Sequence, residues 1–482
     1  MEQATRRSDI RQYVAAIAAN LLSFIFGIFM GWTAMMLPDL LSSDTPLQGG
    51  PITKEDVSWL ASIMCLSSIP AAPLFSCISE KFGRKPVGYM VGLFYLVTGL
   101  MVALSDTVEI LYVSRVILGC ATSGTFVFTP LYVSEIAEDR TRGPLGTILA
   151  TMVNIGTLYA FVIGATLRYY TVAWLCVLPS IIFLLVLFWI PETPGHLLRQ
   201  NRHQEAKQAL QWLRGKRADI IPELETTKNI MKKMESSKAA SFKDLVTSKG
   251  AFRAFYIILA LATNQQLCGL TAVTSYTVLI FQESGSNLSP DTSTIVVGLM
   301  SLVGSVLASI LCSHFRRKTL LLFGNVFLAV SLVALGFYFY FKHLGQDVSS
   351  IGWVPVTSLS VYVLVFNLSF SSLPLVITSE IFSPHLLGKA LSINGPYTAL
   401  LAFLVGKFFI NLSSAVGTHG SFWIYAVFCV LGSIFIIVVL PETKDCPLQT
   451  TLDKLSGTKS KFSAEAERLT YEAVRSSKNS SV

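Results

Sequence analysis

The sequence Phe82-Gly-Arg-Lys-Pro86 follows one long apolar stretch, and Phe315-Arg-Arg-Lys-Thr319 follows another, 233 residues later. Two further pairs of short segments repeat in the same order, with offsets of 245 and 250 residues: Ser134-Glu-Ile136 with Ser379-Glu-Ile381, and Pro191-Glu-Thr193 with Pro441-Glu-Thr443. Three echoes in order, each at the end of a corresponding apolar stretch, indicate a duplicated unit.

The apolar composition excludes an ordinary soluble protein. The 482 residues are 52% hydrophobic and 14% charged, with a mean hydropathy of +0.58, whereas soluble domains carry about 25% charged residues. A helix that crosses about 30 Å of hydrocarbon needs roughly 20 apolar residues. Twelve stretches meet this length, and we predict membrane spans at residues 13–37, 57–79, 86–105, 109–133, 144–167, 171–190, 254–281, 292–312, 319–341, 353–379, 389–411 and 420–440.

The repeated segments follow spans 2 and 8, 4 and 10, and 6 and 12, so each half of the chain contains six spans. An even number gives both halves the same topology, related by an axis along the membrane normal, as in carriers of the major facilitator fold. We therefore predict an all-α membrane protein of this fold with twelve transmembrane helices. The expected divisions are a cytoplasmic N-terminus (1–12), the first half (13–190), a cytoplasmic helical linker (191–250), the second half (251–440) and a cytoplasmic tail (441–482).

Lysine and arginine are distributed unequally between the two sides of the predicted membrane. With the N-terminus in the cytoplasm, 31 lie in cytoplasmic segments and three, Lys54, Arg168 and Lys342, lie outside. Because basic residues accumulate in cytoplasmic loops, we predict a multi-pass protein of the cell membrane with both termini in the cytoplasm. Attraction to the anionic inner leaflet of the lipid bilayer accounts for the net charge of +8, so we expect no nucleic-acid partner.

The sequence contains no motif typical of catalysis or metal binding. The eight cysteines form no Cys-x-x-Cys pair, the six histidines are scattered over loops, and no phosphate-binding loop or Ser-His-Asp pattern occurs. We therefore expect no enzyme activity, no metal and no cofactor. The sequon Asn287-Leu-Ser289 falls in a predicted outside loop, so Asn287 is a candidate glycosylation site.

The repeated segments and their surroundings resemble the sugar porter family of the major facilitator superfamily, from residue 13 to about residue 445. The resembling motifs are Glu80-Lys-Phe-Gly-Arg-Lys-Pro86, Arg115-x3-Gly119, Pro130-x-Tyr-x-Ser-Glu135-x6-Arg142-Gly143, Pro191-Glu-Thr-Pro194, Gln265-Gln-Leu-x-Gly269 and Pro441-Glu-Thr443. The segments Asn154-Ile-Gly156 and Ala209-Leu-Gln-Trp-Leu-Arg-Gly-Lys216 are most similar to the insect facilitated trehalose transporter branch. The resemblance implies facilitated transport of a hexose or trehalose by alternating access.

Three positions depart from the family pattern. Thr271 stands where span 7 of the family usually has asparagine, Leu375 replaces a tryptophan of span 10, and Thr398-Ala399 replaces the Asn-Trp pair of span 11. Without the two tryptophan rings, the C–H face of a sugar loses surfaces on which it can stack. Two alternatives therefore stay open: a carrier of a polyol or another small neutral solute, and a transport-inactive sugar sensor.

Three consecutive amides, Asn264, Gln265 and Gln266, lie in the middle of the otherwise apolar span 7. A buried amide without a partner costs roughly 1 to 3 kcal/mol, so these side chains either bond to neighbouring helices or face a watery cavity and bind sugar hydroxyl groups. The family pattern implies the second role for Gln265 and Gln266. Four further residues are expected to face the same cavity: Thr271 and Tyr276 in span 7, Asn154 in span 5 and Thr398 in span 11.

Charged residues cluster where the repeated segments end their spans. One interpretation is that they only anchor the loops on the cytoplasmic side. The resemblance favours a second role, a cytoplasmic gate in which opposite charges pair across the two halves and hold the outward-open state. The residues expected in this gate are Arg84, Glu135, Arg142, Arg317 and Glu380.

The distribution of acidic residues bears on energy coupling. A proton-driven carrier needs a group within the membrane whose protonation changes during the cycle, and span 1 (13–37) contains no Asp, Glu or His. The other spans place no carboxylate at membrane depth. We therefore predict a uniporter, which moves a small neutral solute down its own gradient.

Overall fold

The computed structural model describes residues 2–138, 140–215, 220–236, 242–247 and 249–444. The described part consists of helices and their connections, without a β-strand. Within the described residues, eleven apolar helical stretches are long enough to cross a membrane, and the last, Leu386–Val438, contains two spans. The predicted twelve-span fold class is thereby confirmed, and the predicted tail beyond residue 444 lies outside the described residues.

The first half contains six continuous spans. They run over Glu2–Leu41, Lys54–Phe82, Arg84–Ala103, Val108–Ile136, Arg142–Thr166 and Tyr169–Trp189. Span 2 begins with a capping box, in which Thr53 and Asp56 each accept a hydrogen bond from the backbone N–H of the other. Span 3 follows after the single residue Gly83, whose φ of 108° is in the region that favours glycine.

The second half contains two interrupted spans and two fused ones. Span 7 comprises Lys249–Leu267 and Leu270–Ser284, span 8 Pro290–His314, span 9 Arg317–His343, and span 10 Val354–Ser369 and Leu373–Ile381. Spans 11 and 12 form the helix Pro384–Val438, which turns at Gly417.

The second half therefore differs from the prediction at two places. The sequence predicts a loop at residues 412–419, but Gly417 reverses the chain within one residue because it adopts a φ of 76°. The sequence also predicts an uninterrupted span 10. The span breaks there because Pro374 has no N–H to donate to the carbonyl oxygen of Phe370, four residues earlier.

Small residues let spans of the first half approach closely. A side chain at Gly27 in span 1 would lie 2.0 Å from the carbonyl oxygen of Val153, and one at Gly156 in span 5 would lie 2.0 Å from that of Phe24. Neither glycine can be replaced without moving a helix backbone. Such glycine contacts are typical of helix packing in lipid, where close backbone approach supplies much of the attraction.

The two halves meet along three pairs of spans: 5 with 8, 2 with 11, and 1 with 7. The ends of the twelve spans lie at two opposite ends of the molecule. We call one of them the basic end and the other the far end. The end that carries Arg84 and Arg317 is the basic end, and the end that carries Glu55 and Asn287 is the far end.

Four short helices connect the halves at the basic end: Pro194–Arg199, His203–Arg214, Ile221–Ser236 and Asp244–Thr247. The second buries Ala206, Leu210 and Leu213 on one face, as its amphipathic pattern predicts. Its last residue, Arg214, donates to the carbonyl oxygen of Ile136 at 2.9 Å. The connection is therefore fastened to the end of span 4.

Candidate solute-binding site

A ring of three polar side chains joins the halves at mid-depth. Asn154 of span 5 donates from Nδ2 to Oδ1 of Asn367 in span 10 at 3.0 Å. Asn367 donates in turn to Oγ of Ser301 in span 8 at 2.8 Å, and Ser301 donates back to Oδ1 of Asn154 at 2.7 Å. One residue comes from the first half and two from the second, so the ring closes across the interface.

A cavity of about 70 Å³ lies beside this ring, toward the basic end. It is lined by Thr147, Ala150, Ser305, Ala308, Ser309, Cys312, Asn367, Ser371, Ser372 and Val376. A cavity needs roughly 10 to 15 Å³ by this measure to hold one water, so this one has room for a few waters. The ring closes the cavity in this conformation, and a solute would have to separate its members.

The interrupted spans 7 and 10 supply each other with hydrogen-bond donors at their breaks. Span 7 breaks at Gly269, which has a φ of 93°, and the carbonyl oxygen of Cys268 there accepts from Tyr362 Oη of span 10 at 3.0 Å. Span 10 breaks at Phe370, whose carbonyl oxygen accepts from Gln265 Nε2 of span 7 at 2.9 Å. Both carbonyl oxygens at the breaks therefore have a hydrogen-bond donor within the membrane, where water is scarce.

The predicted residues of span 7 fall on different faces of the helix. Gln266, 8% exposed, accepts from Thr271 Oγ1 at 3.3 Å. Thr271 lies beside span 11, because a side chain at Gly406 would lie 3.3 Å from it, and the same added side chain would lie 3.4 Å from Ser62 of span 2. Gln266 therefore precedes the break at Gly269, on the side of the basic end, and Thr271 follows it, on the side of the far end.

Two other predicted residues bond to the protein itself. Tyr276 is buried and donates to the carbonyl oxygen of Gly406 at 2.9 Å, with its ring stacked on Phe409 at a centroid distance of 5.2 Å. Thr398 donates to the carbonyl oxygen of Asn394 in its own helix at 2.8 Å. In this conformation the structure does not bring either hydroxyl to the central ring.

The remaining amide of span 7 packs away from the interface. Asn264 donates to Oδ1 of Asn325 in span 9 at 3.1 Å, and a side chain at Gly432 of span 12 would lie 2.0 Å from its Oδ1. Adjacent amides therefore have separate roles, since Gln265 bonds to span 10 and Gln266 to Thr271 beyond the break, while Asn264 packs between helices.

The charged clusters at the basic end form the same arrangement twice. Arg84 pairs with Glu135 at 2.6 Å, and Arg317 pairs with Glu380 at 3.1 Å. Glu192 accepts from the first N–H groups of span 3, at Arg84 and Lys85. In the second half, Glu442 accepts in the same way from the first N–H groups of span 9, at Arg317 and Lys318.

These contacts account for the repeated sequence segments, because each carboxylate neutralises an arginine or occupies a helix N-terminus. They also differ from the expected gate. Each ion pair joins two residues of the same half, whereas the prediction places the pairs across the two halves. The difference has a physical reason, since the contacts between the halves include Trp59 with Phe403 and Ser58 with Lys407 at the far end. Near the basic end, by contrast, a side chain added at Gly146 or Gly388 would meet nothing within 4 Å. The side chain of Arg142 lies outside the described part.

The far end of the interface is closed by aromatic and glycine contacts. Trp59 of span 2 and Phe403 of span 11 have ring centroids 6.0 Å apart, next to the close approach of Gly406 to Ser62. The candidate glycosylation site Asn287 lies at this end with an exposed side chain, and its modification stays a prediction.

Two members of the central ring were missed by the sequence reasoning. Ser301 is one of several serines in span 8, and Asn367 is the only amide of the helix Val354–Ser369. Such residues commonly bond within their own helix. A signal was present for Asn367, since an amide in the middle of a membrane span needs partners. Which faces of spans 8 and 10 meet span 5 depends on packing that the sequence does not display.

Two six-helix halves, broken spans and a central polar site between the halves define a carrier of the major facilitator fold. The chain belongs to the family described as "Sugar (and other) transporter", whose pattern matches residues 12–452. Membership of a transporter family confirms the prediction that the protein is not an enzyme.

Similar proteins carry related names. The chain is 33% identical over 459 residues to the facilitated trehalose transporter Tret1 of Aedes aegypti, covering 94% of this chain and 56% of that protein. It is 32% identical over 469 residues to the same transporter of Culex quinquefasciatus, covering 96% and 90%. The chain thus spans little more than half the length of some of these relatives.

Solved structures show the same fold. The inward-open conformation of the xylose transporter XylE from E. coli superposes with a TM-score of 0.76 at 21% identity, over 91% of this chain and 98% of that one. A partially occluded inward-open conformation of the same transporter gives a TM-score of 0.74 at 21% identity, over 91% and 99%.

Proposed function

We propose that the protein is a facilitative sugar transporter, a uniporter for a hexose or trehalose that works by alternating access. The observation that carries the proposal is the ring of Asn154, Ser301 and Asn367. Its three side chains offer donors and acceptors without charge, which suits the hydroxyl groups of a neutral solute. Because they belong to both halves, a solute that replaces the ring contacts both halves at once.

The solute is proposed to bind between the ring and the amide Gln266, on both sides of the break in span 7. Gln265 is assigned a supporting role, since its Nε2 already donates to Phe370. Trehalose is the first candidate because relatives that are about a third identical are named as trehalose transporters. Glucose-type hexoses present the same hydroxyl chemistry in half the volume and are the second.

Uniport is supported by where the acidic residues lie. Within the described parts of the twelve apolar spans, every Asp and Glu lies in the first or last two turns. A carboxylate at a helix end stays in contact with water throughout the cycle, so its protonation cannot be coupled to the alternation of the halves.

The basic end is proposed to face the cytoplasm of a cell-membrane protein, as the distribution of lysine and arginine suggests. The gate at this end is proposed to act in the other conformation. When the halves approach at the basic end, Arg84, Glu135, Arg317 and Glu380 come from opposite sides of the cavity and can exchange partners.

The test is uptake of a labelled panel into proteoliposomes: trehalose, glucose, a pentose and a linear polyol, with empty liposomes as the control. Saturable uptake of trehalose or glucose that equilibrates and does not concentrate is expected. Concentration of the sugar under an imposed pH gradient, abolished by a protonophore, would contradict uniport. Uptake of the polyol alone would shift the assignment to a polyol carrier, and saturable binding without uptake would indicate a sensor.

A further inference from the structure

A lysine of span 11 binds to the first half at the far end of the interface. Lys407 lies ten residues before Gly417, about 15 Å along the helix, and its side chain is 11% exposed. A charge within the membrane region is costly and marks a functional position by default. Its partners therefore show what the position does.

The partners of the Lys407 ammonium among the described residues lie on one face of span 2. Its Nζ donates to Ser58 Oγ at 2.8 Å, lies 3.7 Å from Glu55 Oε1 and lies 4.2 Å from the centroid of the Trp59 ring. Positions three and four residues apart are neighbours on a helix surface. The first turn of span 2 thus presents a carboxylate, a hydroxyl and an aromatic face to one cation of the opposite half.

The same segment of span 11 is held to span 7 of its own half. The carbonyl oxygen of Gly406, adjacent to Lys407, accepts from Tyr276 Oη at 2.9 Å. Tyr276 has non-helical backbone angles, with a φ of −113° and a ψ of 15°. Movement of the second segment of span 7 would therefore displace the backbone that carries the lysine.

We propose that Lys407 is a positioning residue of the transport cycle, a latch that holds the far end closed by binding Glu55, Ser58 and Trp59 of the opposite half. When the far end opens, spans 2 and 11 separate and the ammonium exchanges these partners for water. Loss of the latch then shifts the population toward the conformation that is open at the far end. The inference holds whichever solute is carried.

The test is alkylation of a cysteine that is reachable only when the far end opens. Ser62 is buried at the contact of spans 2 and 11, so Ser62→Cys reports opening to a membrane-impermeant maleimide. Peptide mass spectrometry separates the introduced thiol from the native ones. In this background, Lys407→Met should raise the alkylation rate at least about fivefold, and Lys407→Arg should restore the slow rate.

The matched control is Lys342→Met, at the same end of the molecule. Lys342 donates to the carbonyl oxygens of Glu283 and Ser284 within its own half, so its loss should leave the alkylation rate unchanged. A second variant, Glu55→Gln, removes the anion from an exposed position and should also raise the alkylation rate. It keeps the test available if Lys407→Met proves unstable. Equal rates in the wild type, Lys407→Met and Glu55→Gln would overturn the proposal.

A readout at the basic end completes the design. Cys312 lines the cavity on that side, and it should react more slowly in Lys407→Met because that end closes as the far end opens. No solute is present in either measurement, so a failure of the latch is distinguished from a failure of the sugar assignment. A faster reaction at both the introduced thiol and Cys312 would mean general loosening, and would also overturn the latch.

Discussion

Tyr362 of span 10 donates a hydrogen bond to the carbonyl oxygen of Cys268 in span 7, at 3.0 Å. Both spans are interrupted. At the break of span 10, the carbonyl oxygen of Phe370 accepts a hydrogen bond from Gln265 of span 7. Each break therefore depends on the other helix, and the two spans form a mutually supported pair beside the candidate site.

Removal of the tyrosine hydroxyl should affect transport more than stability. Tyr362→Phe leaves the carbonyl of Cys268 without its donor, and we expect a loss of about 1 kcal/mol in unfolding free energy and a several-fold lower uptake rate. Tyr338→Phe is the matched control, because Tyr338 Oη donates to the carbonyl of Ser284 at 3.0 Å, away from both breaks. Equal uptake in the two variants at equal delivery would count against a mutual support of the breaks.

Two amides two residues apart should give different defects. Gln266→Ala should raise the half-saturation concentration for the sugar about tenfold, the loss expected for a hydrogen bond of about 1 to 2 kcal/mol, while the melting temperature changes little. Asn264→Ala removes a side chain packed against Asn325 and Gly432, so it should lower the melting temperature and leave half-saturation near wild type. The reverse pattern would remove Gln266 from the site.

The central ring predicts a sharp contrast between two serines of span 8. Ser301→Ala deletes the member that donates to Asn154 and accepts from Asn367, and half-saturation should rise about tenfold. Ser305 lines the same cavity but donates to the carbonyl of Leu302 in its own helix. Ser305→Ala should change half-saturation by no more than about twofold. Similar values in both variants would argue that the ring only joins helices.

A histidine of the connecting helices should make stability depend on pH. Burial lowers the pKa of His196 below its ordinary value of 6.5; Glu192 partly opposes this effect and Arg84 adds to it. Neither ring nitrogen has a partner among the described atoms. Below about pH 6.5 the unfolded chain therefore binds a proton that the folded one does not, so stability is lost as the pH falls.

The measurement for His196 is the melting temperature at pH 8 and pH 5.5. His196→Phe should reduce the difference between the two values, whereas His203→Gln, at the exposed start of the next helix, should leave it as in the wild type. An unchanged difference in His196→Phe would show that this side chain does not titrate within that range.

The overall fold could be predicted from the sequence because its signals are local. Span lengths follow from apolar stretches, and the duplication follows from segments such as Phe82–Pro86, whose charges occupy helix ends in both halves. The fusion of spans 11 and 12 could not be predicted. The small and polar residues around Gly417 are as typical of a loop as of a turn at a single glycine.

The site was predicted only in part, because it depends on which helix faces meet. Asn154 belongs to the central ring, but its partners Ser301 and Asn367 come from spans whose rotation is set by packing, and its role in binding a solute stays a prediction. Tyr276 and Thr398 were expected at the cavity and instead bond to backbone carbonyls. Pairing of the charges across the halves stays a prediction, because the described ion pairs Arg84–Glu135 and Arg317–Glu380 each lie within a single half.

The matching anchors of Glu192 and Glu442 have a consequence for the orientation of a bound solute. The duplication has kept the ends of the two halves alike, yet at mid-depth Asn154 of span 5 corresponds to the region of Thr398 in span 11, which turns its hydroxyl to its own helix. The two halves therefore present different polar groups to a solute at mid-depth. One amide of the first half stands opposite an amide and a hydroxyl of the second half, so a sugar with two unlike ends should bind between them in one preferred orientation.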